Sequence, residues 1–451
     1  MTPYPYQIEG AKFLAARKRG GLLDGCRVGK TIQGVVACDL IGARSVLVVC
    51  PGLARSVWAN TFDSASLMGL PRATVWDVKD PIEPNGVTII SMDNARNLAI
   101  RDRIMHHRWD VMIVDEQHFL KTPTSKRTQM VLSRDGFASV AGRIWFLTAT
   151  PVMKDPSDLF TMLVTVGAFK GTHEDFLNRY CNWYMGDHGP VVTGAKNVEE
   201  LQRLMAPHFL RRTWEDVKHQ VTDKPVPAPI WEEIDIVPKE GDYDPSDLRD
   251  IGFLENEKKV KRIIENFLAG DAKPLPRNSD AARVRLAHAL VKAKPLAGYI
   301  TERLAKWEWD KVVIFFHHFQ PSELLMHYLL PFKPRRINGK TPDAKRDQHI
   351  REFTDKPAKR VLLVQDNIAR QAIDLSAANR LVFFELDWID DNNHQAAMRI
   401  QGPRQTRQPY IYVSRLIGSM DEIIARAAAR RARMSAQILD SNKPLKLPSM
   451  F

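Results

Sequence analysis

Three strings decide how this chain reads, and they come in a telling order: DGCRVGKT at Asp24–Thr31, VDEQH at Val114–His118 and TATP at Thr148–Pro151. In the first, Gly29-Lys30-Thr31 follows the apolar pair Leu22-Leu23 and opens a helix. Backbone N–H groups at such a turn point at phosphate oxygens, helped by the partial positive charge of the helix N-terminus. Lys30 is then placed to reach the β- and γ-phosphates of a nucleotide, and the Thr31 hydroxyl to bind Mg²⁺. The strict pattern G-x-x-x-x-G-K-[ST] is not met, because Asp24 stands at the first glycine position. In the second string an apolar run leads into two acids. A strand ending in Asp115-Glu116 puts both carboxylates at the carboxyl edge of a sheet, where ligands bind in open α/β folds. Asp115 would hold Mg²⁺, and Glu116 would orient or deprotonate an attacking water. The third string follows another strand and offers two small hydroxyl side chains, Thr148 and Thr150, to bridge an ATP site to a facing domain. Each string has a bland reading: a turn before a helix, an acidic strand end, a short polar loop. Their order and spacing favour nucleotide chemistry.

Composition is compatible with that reading. The 451 residues predict two or three domains, and 44% hydrophobic content supports a sizeable core. A formal net charge of +12 makes a polyanionic partner plausible, with nucleic acid the leading candidate. Cys26, Cys38, Cys50 and Cys181 include no C-x-x-C pair, which argues against a zinc site or a disulfide framework and suits a reducing cytosol. The start, MTPYPYQIEG, is not a signal peptide, and no apolar run is long enough to span a bilayer.

Up to about residue 165, short apolar runs alternate with helical patterns. Val46–Cys50, Val87–Ile90, Val111–Val114 and Ile144–Leu147 read as strands of a parallel sheet buried on both faces, and Thr31–Ile41 as a helix. This is an α/β doubly wound domain over 1–165. Residues 166–235 read as a helical insertion and connector, ending in the proline-broken Lys224–Pro229. Residues 236–308 read as a basic helical linker that includes Lys258–Arg262. A second α/β block spans 309–425, with strands at Val312–Phe316, Val361–Val364, Leu381–Glu385 and Tyr410–Val413. The tail, 426–451, continues a helix over Ser419–Leu439, in which Ser419 and Glu422 have capping-box spacing and Arg426, Arg430, Arg431 and Arg433 crowd the body.

The chain resembles a superfamily 2 helicase-like ATPase of the Swi/Snf type, closest in flavour to the annealing-helicase (HARP-like) branch and its short phage and bacterial relatives. The likeness begins at Tyr4-Pro5-Tyr6-Gln7-Ile8-Glu9-Gly10 and continues through Asp24–Thr31, VVCPGLARSVW at Val48–Trp58, the Asp115–Thr128 segment and LTATPVMKDPSDLF at Leu147–Phe160. LQRLMAPHFLRRTWEDV at Leu201–Val217 carries a string peculiar to this family. In the second block the matching strings are VVIFFHHF at Val312–Phe319, Ile337–Thr341 with Arg346 and Phe353, IDLSAA at Ile373–Ala378, FELDW at Phe384–Trp388 and QAAMRIQGPRQ at Gln395–Gln405. The resemblance implies two RecA-like lobes with ATP in the cleft between them and ATP-driven movement on duplex DNA. It implies that Gln7 reads the adenine edge and that Asp24, Gly25, Cys26, Arg27, Val28, Gly29, Lys30 and Thr31 form the cradle. Asp374 and Arg399 would complete the nucleotide site from the second lobe, and Arg399 and Arg404 would serve as arginine fingers. His118, Thr148, Thr150 and Gln395 would couple hydrolysis to motion, while Pro51, Arg55, Lys121, His318 and Gly339 would touch DNA. Mg²⁺ would sit on Thr31 and Asp115.

Departures from the family pattern bear on turnover. Gly402 and Gln401 replace an arginine and a histidine of the last string, leaving Arg404 or Arg407 as the second arginine. Ala372 replaces a glycine, Asp374 an Asn or Thr, and Lys154 an Asn. The leading expectation is a monomeric DNA-dependent ATPase that remodels duplex, forked or branched DNA in a bacterial or phage-infected cytoplasm, with no membrane partner. The alternatives are a strand-separating 3′–5′ helicase and an ATP-gated DNA-binding module with little turnover.

Overall fold

In the computed structural model, the described residues are 2–186, 189–221, 228–239, 241–242, 279–369, 373–387, 390–401, 405–417 and 419–439. Fifteen strands follow in chain order: β1 (Arg19–Leu22), β2 (Val46–Cys50), β3 (Arg72–Val75), β4 (Val87–Ser91), β5 (Trp109–Asp115), β6 (Ala141–Leu147), β7 (Cys181–Gly186), β8 (Gly189–Ala195), β9 (Phe209–Leu210), β10 (Ile230–Ile236), β11 (Val312–Phe316), β12 (Arg335–Ile337), β13 (Val361–Gln365), β14 (Arg380–Phe383) and β15 (Tyr410–Leu416). They form one sheet ordered β3-β4-β2-β5-β6-β1-β9, a second ordered β10-β15-β14-β11-β13-β12, and the hairpin β7-β8. Every pairing in the two large sheets is parallel.

The first sheet is buried on both faces, and its sequence shows why. Side chains alternate along a strand. Val46, Val48 and Cys50 of β2 enter one core with Val111 and Ile113 of β5 and Trp145 and Leu147 of β6. Leu47, Val49, Met112, Val114, Ile144 and Phe146 enter the other. Helices Pro5–Ala15, Lys30–Leu40 and Arg55–Ala65 contribute Leu14, Val35 and Trp58 to the first core. Helix Leu98–Met105 contributes Ile100 and Ile104 to the second. A strand with both faces covered needs an unbroken apolar run, which is what the sequence offers.

Two organisational expectations change. The stretch over 166–235 is not a helical insertion alone. Helices His173–Tyr180 and Val198–Met205 flank the β7-β8 hairpin, then β9 joins the first sheet beside β1, and β10 joins the edge of the second. Within 236–308, the described helix Ser279–Ala305 is a core element rather than a linker. Its Ala289, Ala293, Leu296, Ile300 and Leu304 recur at helical spacing and pack on Val312, Ile314 and Phe316 of β11. Lys258–Arg262 lies outside the described residues. The C-terminal helix spans Met420–Leu439, with Asp421 N donating to Ser419 Oγ at 3.1 Å. The chain divides into two compact units, and residues 434–439 at the end of this helix group with the first. No helix among the described residues is long and apolar enough to cross a membrane.

The second unit buries a charge at its centre. Lys292 is 1% exposed; its Nζ lies 2.7 Å from Asp421 Oδ2 and donates to Phe384 O at 2.7 Å and Ser414 O at 3.3 Å. This ties the Ser279–Ala305 helix to the end of β14, to the middle of β15 and to the start of the last helix. Removing one partner of a buried pair strands the other's charge, at a cost of roughly 3–5 kcal/mol. Lys292→Ala is expected to destabilise this unit by that order in urea unfolding, and so is Asp421→Asn, which removes the counter-charge of the fully buried ammonium.

Candidate nucleotide site and nucleic-acid face

β1 delivers the chain to the phosphate loop. Arg27 (φ +66°) and Gly29 (φ +78°) adopt left-handed backbone, and Lys30 begins the next helix. Gly29 is required twice over: a Cβ there would also lie 2.3 Å from Gln7 Nε2. Lys30 Nζ donates to Asp24 O (2.8 Å) and Gly25 O (3.0 Å), so its ammonium sits inside the turn it would share with a phosphate. Gln7 is 4% exposed, its Oε1 accepts from Tyr4 N (2.9 Å), and its Nε2 lies near Val28 O (3.5 Å) and Tyr6 Oη (3.4 Å). Burial pushes the Tyr6 phenol up to about 12, so it stays a neutral hydroxyl. Gly25, Cys26 and Val28 lie in the same loop, and Thr31 is the second residue of the helix that follows it.

Asp24 requires a correction. It is fully buried, and its carboxylate faces Arg212 and Gln33 rather than a phosphate position. An anion aimed at phosphates would repel them; here its charge is neutralised within the protein.

The acids sit at the end of β5. Asp115 Oδ2 accepts from Trp58 Nε1 (2.8 Å), and Oδ1 accepts from Glu116 N (3.0 Å). Trp58, the last residue of the VVCPGLARSVW string, is fully buried and orients Asp115. Burial and the adjacent Glu116 carboxylate push Asp115 up, partly offset by Trp58 and Lys30. For Glu116 burial also pushes up, but the His118 ring, Lys30 and Thr148 outweigh it and hold the carboxyl below its ordinary value. A hard divalent cation binds oxygen donors, keeps several waters and needs only one or two protein ligands. Asp115, a crowded carboxylate close enough to Lys30 to feel its charge, and the hydroxyl of Thr31 suit Mg²⁺ in that role.

Glu116 itself has φ +50° and ψ +56°, left-handed backbone on a non-glycine residue. Such a residue costs on the order of 1–3 kcal/mol and collects at functional sites. Around its carboxylate, Thr148 Oγ1 donates to Glu116 Oε2 (3.3 Å), His118 Nδ1 lies 3.3 Å from Glu116 Oε2, and His118 Nδ1 lies 3.3 and 3.2 Å from Thr148 and Thr150 Oγ1. The structure thus brings Glu116, His118, Thr148 and Thr150 into one cluster. Gln117, fully buried, donates to Thr161 Oγ1 at 3.3 Å.

The expected DNA contacts of the first lobe are differently employed. Pro51 leads out of β2. Arg55 donates to Gly52 O and Val75 O (both 2.9 Å) and stacks over exposed Trp76, so it shapes the loop. Lys121 pairs with Asp158 at 3.1 Å, and Asp158 in turn accepts from Met153 and Lys154 N–H, making Lys121 a brace under the loop after TATP. Neither cation is free for a phosphate in this state.

In the second unit, Gly339 N donates to Gln365 Oε1 (3.0 Å). His318 Nδ1 lies 2.6 Å from Glu385 Oε1, while the N–H groups of His317 and His318 donate to Glu385 Oε2 (both 2.9 Å). His318 therefore anchors the loop after β11 rather than presenting its Nδ1 edge to DNA. Asp374 caps its own turn through Ser376 N (3.1 Å), Leu375 N donates to Arg399 O (3.0 Å), and Gln395 is buried. Gln405, which the sequence reading left without a role, staples these two segments by donating to Ser376 O, Ala378 O and Ile400 O. Arg407 is fixed by Ala377 O (2.8 Å) and Asp310 (3.3 Å), which argues against it as the second finger. Arg404, Gly402, Ala372 and Trp388 lie outside the described residues.

A phosphate loop and an acid pair on the carboxyl edge of one parallel sheet, with a second parallel-sheet unit that shows no loop of that kind among the described residues, is the plan of the two-lobed helicase-like ATPases. Residues 6–229 match the SNF2-related domain, and residues 296–401 match the helicase conserved C-terminal domain. The chain thus carries an SNF2-related domain followed by a helicase C-terminal domain. It is 25% identical over 456 residues to the Mus musculus "DNA annealing helicase and endonuclease ZRANB3", covering 97% of this chain and 41% of that protein. It is 26% identical over 409 residues to the Drosophila melanogaster "SWI/SNF-related matrix-associated actin-dependent regulator of chromatin subfamily A-like protein 1", covering 89% and 51%. The chain thus spans about half the length of these relatives or less. Among solved structures, the "Sulfolobus solfataricus SWI2/SNF2 ATPase core in complex with dsDNA" aligns over 98% of this chain and 94% of that one, with TM-score 0.45 and 19% identity.

The Glu385 anchor gives a pH prediction. Burial raises its carboxyl, but the His318 ring, Arg285 and the His318 N–H more than compensate, holding it at about 2 against an ordinary 4.5. A depressed folded-state value adds stability above pH 4.5 that is lost as pH falls toward 2, worth roughly 3 kcal/mol. The urea midpoint of the second unit is expected to fall across this window, and Glu385→Gln to flatten that part of the profile.

Proposed function

We propose that this chain is a DNA-dependent ATPase that moves along duplex or branched DNA and remodels forks or junctions by branch migration, annealing or displacement of bound protein. ATP and Mg²⁺ occupy the loop Gly25–Thr31 with Asp115, and Mg²⁺ neutralises charge on the phosphates when bound. Lys30 binds the terminal phosphates, and Glu116 holds the attacking water and takes up its proton. The observation that carries the reading is the strained Glu116 held by Thr148 and His118, because this links the water-activating carboxylate directly to the TATP segment. The net charge of +12 supports a polyanionic partner, and likeness to a DNA annealing helicase favours DNA over RNA. Contacts to the backbone rather than to bases would make binding salt-sensitive and largely independent of sequence.

The test is steady-state ATP hydrolysis with no nucleic acid, duplex DNA, single-stranded DNA, a four-way junction and RNA. Stimulation by duplex or junction DNA is expected. Lys30→Ala and Glu116→Gln are expected to lower the stimulated rate by about 10²–10⁴-fold, the range for loss of a general base or a key charge. Absence of stimulation in a protein that still binds ATP would overturn the proposal in favour of a gated DNA-binding module.

A further inference from the structure

The last strand of the first lobe runs directly beside the phosphate loop. Gly21 N donates to His208 O (3.0 Å), Leu23 N to Leu210 O (2.8 Å) and Gly25 N to Arg212 O (2.7 Å), so residues 208–212 shadow the chain from β1 into the loop. At the end of this zipper stands Arg212. Its backbone N–H and Nε donate to Asp24 Oδ1 (2.9 and 3.3 Å), and its Nη2 donates to Asp24 Oδ2 (2.7 Å). Nη2 also reaches Gln33 Oε1 (2.7 Å), and Nη1 reaches Tyr6 O (2.6 Å). Gln33 closes the circuit by donating to Asp24 Oδ2 (3.1 Å) and Val28 O (3.4 Å). One guanidinium therefore ties together the adenine-side helix through Tyr6, the first residue of the phosphate loop, and the helix that follows it.

The circuit is built tightly. Asp24 and Gln33 are fully buried, and the Arg212 side chain is 13% exposed. A Cβ on Gly10 would lie 1.7 Å from Gln33 Oε1 and 2.6 Å from Arg212 Nη2, so an alanine there would push the ends of both side chains out of the circuit. Arg212 matches the planar, bidentate geometry of a carboxylate, which a lysine cannot reproduce.

We propose that Arg212 is a positioning residue for ATP: its bond to Asp24 fixes the entry to the phosphate loop, so that the loop N–H groups and Lys30 face the phosphates without reorganisation on binding. The carbonyls of Asp24 and Gly25 are the very atoms that hold the Lys30 ammonium. Rotating Asp24 would therefore move the lysine's resting place as well as the loop. Arg212 touches neither substrate nor reacting atoms in this assignment. Its loss weakens ground-state capture of ATP and leaves the chemical step, once ATP is bound, to Glu116 and Mg²⁺. The inference rests on the ATPase reading above.

The experiment is KM and kcat for ATP at saturating duplex DNA, with Kd for a fluorescent ATP analogue, in wild type, Arg212→Gln, Arg212→Lys, Asp24→Asn, the Asp24→Asn/Arg212→Gln pair and Gly10→Ala. Arg212→Gln and Asp24→Asn are each expected to raise KM and Kd by about 10- to 100-fold, the size of effect a small misplacement of binding groups produces, with kcat within about twofold. The double variant is expected to be no worse than the worse single one, because both changes cut the same bond. Arg212→Lys is expected to recover only part of the affinity, and Gly10→Ala to raise KM in the same direction. A merely structural role would instead lower the fraction of active protein in a nucleotide titration and leave KM unchanged; that result, or additive single effects, would overturn the proposal. If Arg212→Gln fails to fold, Asp24→Asn and Gly10→Ala decide the matter by the same KM shift. Failure of the wild type to bind or hydrolyse ATP would sink the ATPase reading itself, a different outcome from a wild type that works and variants that match it.

Discussion

A parallel sheet covered on both faces leaves only its two edges for ligands, and the rest of this structure depends on that constraint. In the first lobe Val46 to Cys50 and Trp109 to Asp115 have no face to spare, since alternate residues feed two separate cores. Polar chemistry is therefore confined to the loops that leave the strands. The phosphate loop follows β1, Pro51 follows β2, the acids end β5 and the threonines follow β6. Residues separated by more than a hundred positions meet because four neighbouring strands point the same way. Trp58 shows how strictly the two roles are divided: its indole packs in the core while its N–H reaches the edge to hold Asp115.

The parts of the fold that were legible in the sequence are those where burial dictates residue type. The central strands announce themselves as apolar runs, and β2 and β11 have the bounds the pattern predicts. What was not legible are elements whose residues answer to neighbours far away in sequence. β1 reads Arg-Gly-Gly-Leu, a poor strand by propensity. Yet a Cβ on Gly20 would lie 2.5 Å from His208 O, and one on Gly21 2.3 Å from Phe146 O, so the strand is glycine-rich because it is squeezed between β9 and β6. β9 itself is two residues long, below the reach of any periodicity argument. β10 reads Ile-Trp-Glu-Glu-Ile-Asp-Ile, alternating only from Glu233 onward, and it sits where a connector was the simpler reading.

The candidate site divides along the same line. Chemistry demands Lys30, Asp115, Glu116 and the two threonines in a set order, and that order is visible in one dimension. The partners that orient them are not. Lys121 and Arg55 carry the right charge for DNA, but charge alone does not tell whether a cation faces solvent or a carboxylate two turns away. Asp158 and the carbonyls of Gly52 and Val75 settle that only in three dimensions. Asp24 looked like a departure from a glycine pattern. Its explanation is Arg212, 188 positions later in the chain, arriving on a strand the sequence does not advertise.

Glu116 bears on whether the site turns ATP over or merely binds it. A left-handed backbone on a non-glycine residue persists only where its surroundings over-determine it. Here Glu116 N donates both to Leu147 O (2.7 Å) and to Asp115 Oδ1 (3.0 Å), locking the turn against the end of β6 and against the carboxylate beside it. The consequence of the strain is directional: it aims the Glu116 side chain at Thr148 and His118 instead of along the strand. A module that used ATP only as a latch would gain nothing from this, since Lys30 and the loop N–H groups suffice to hold phosphates. Maintaining a strained, low-lying carboxylate beside a buried Asp115 is of use where a water must be oriented and its proton accepted. The first lobe by itself holds that carboxylate in place.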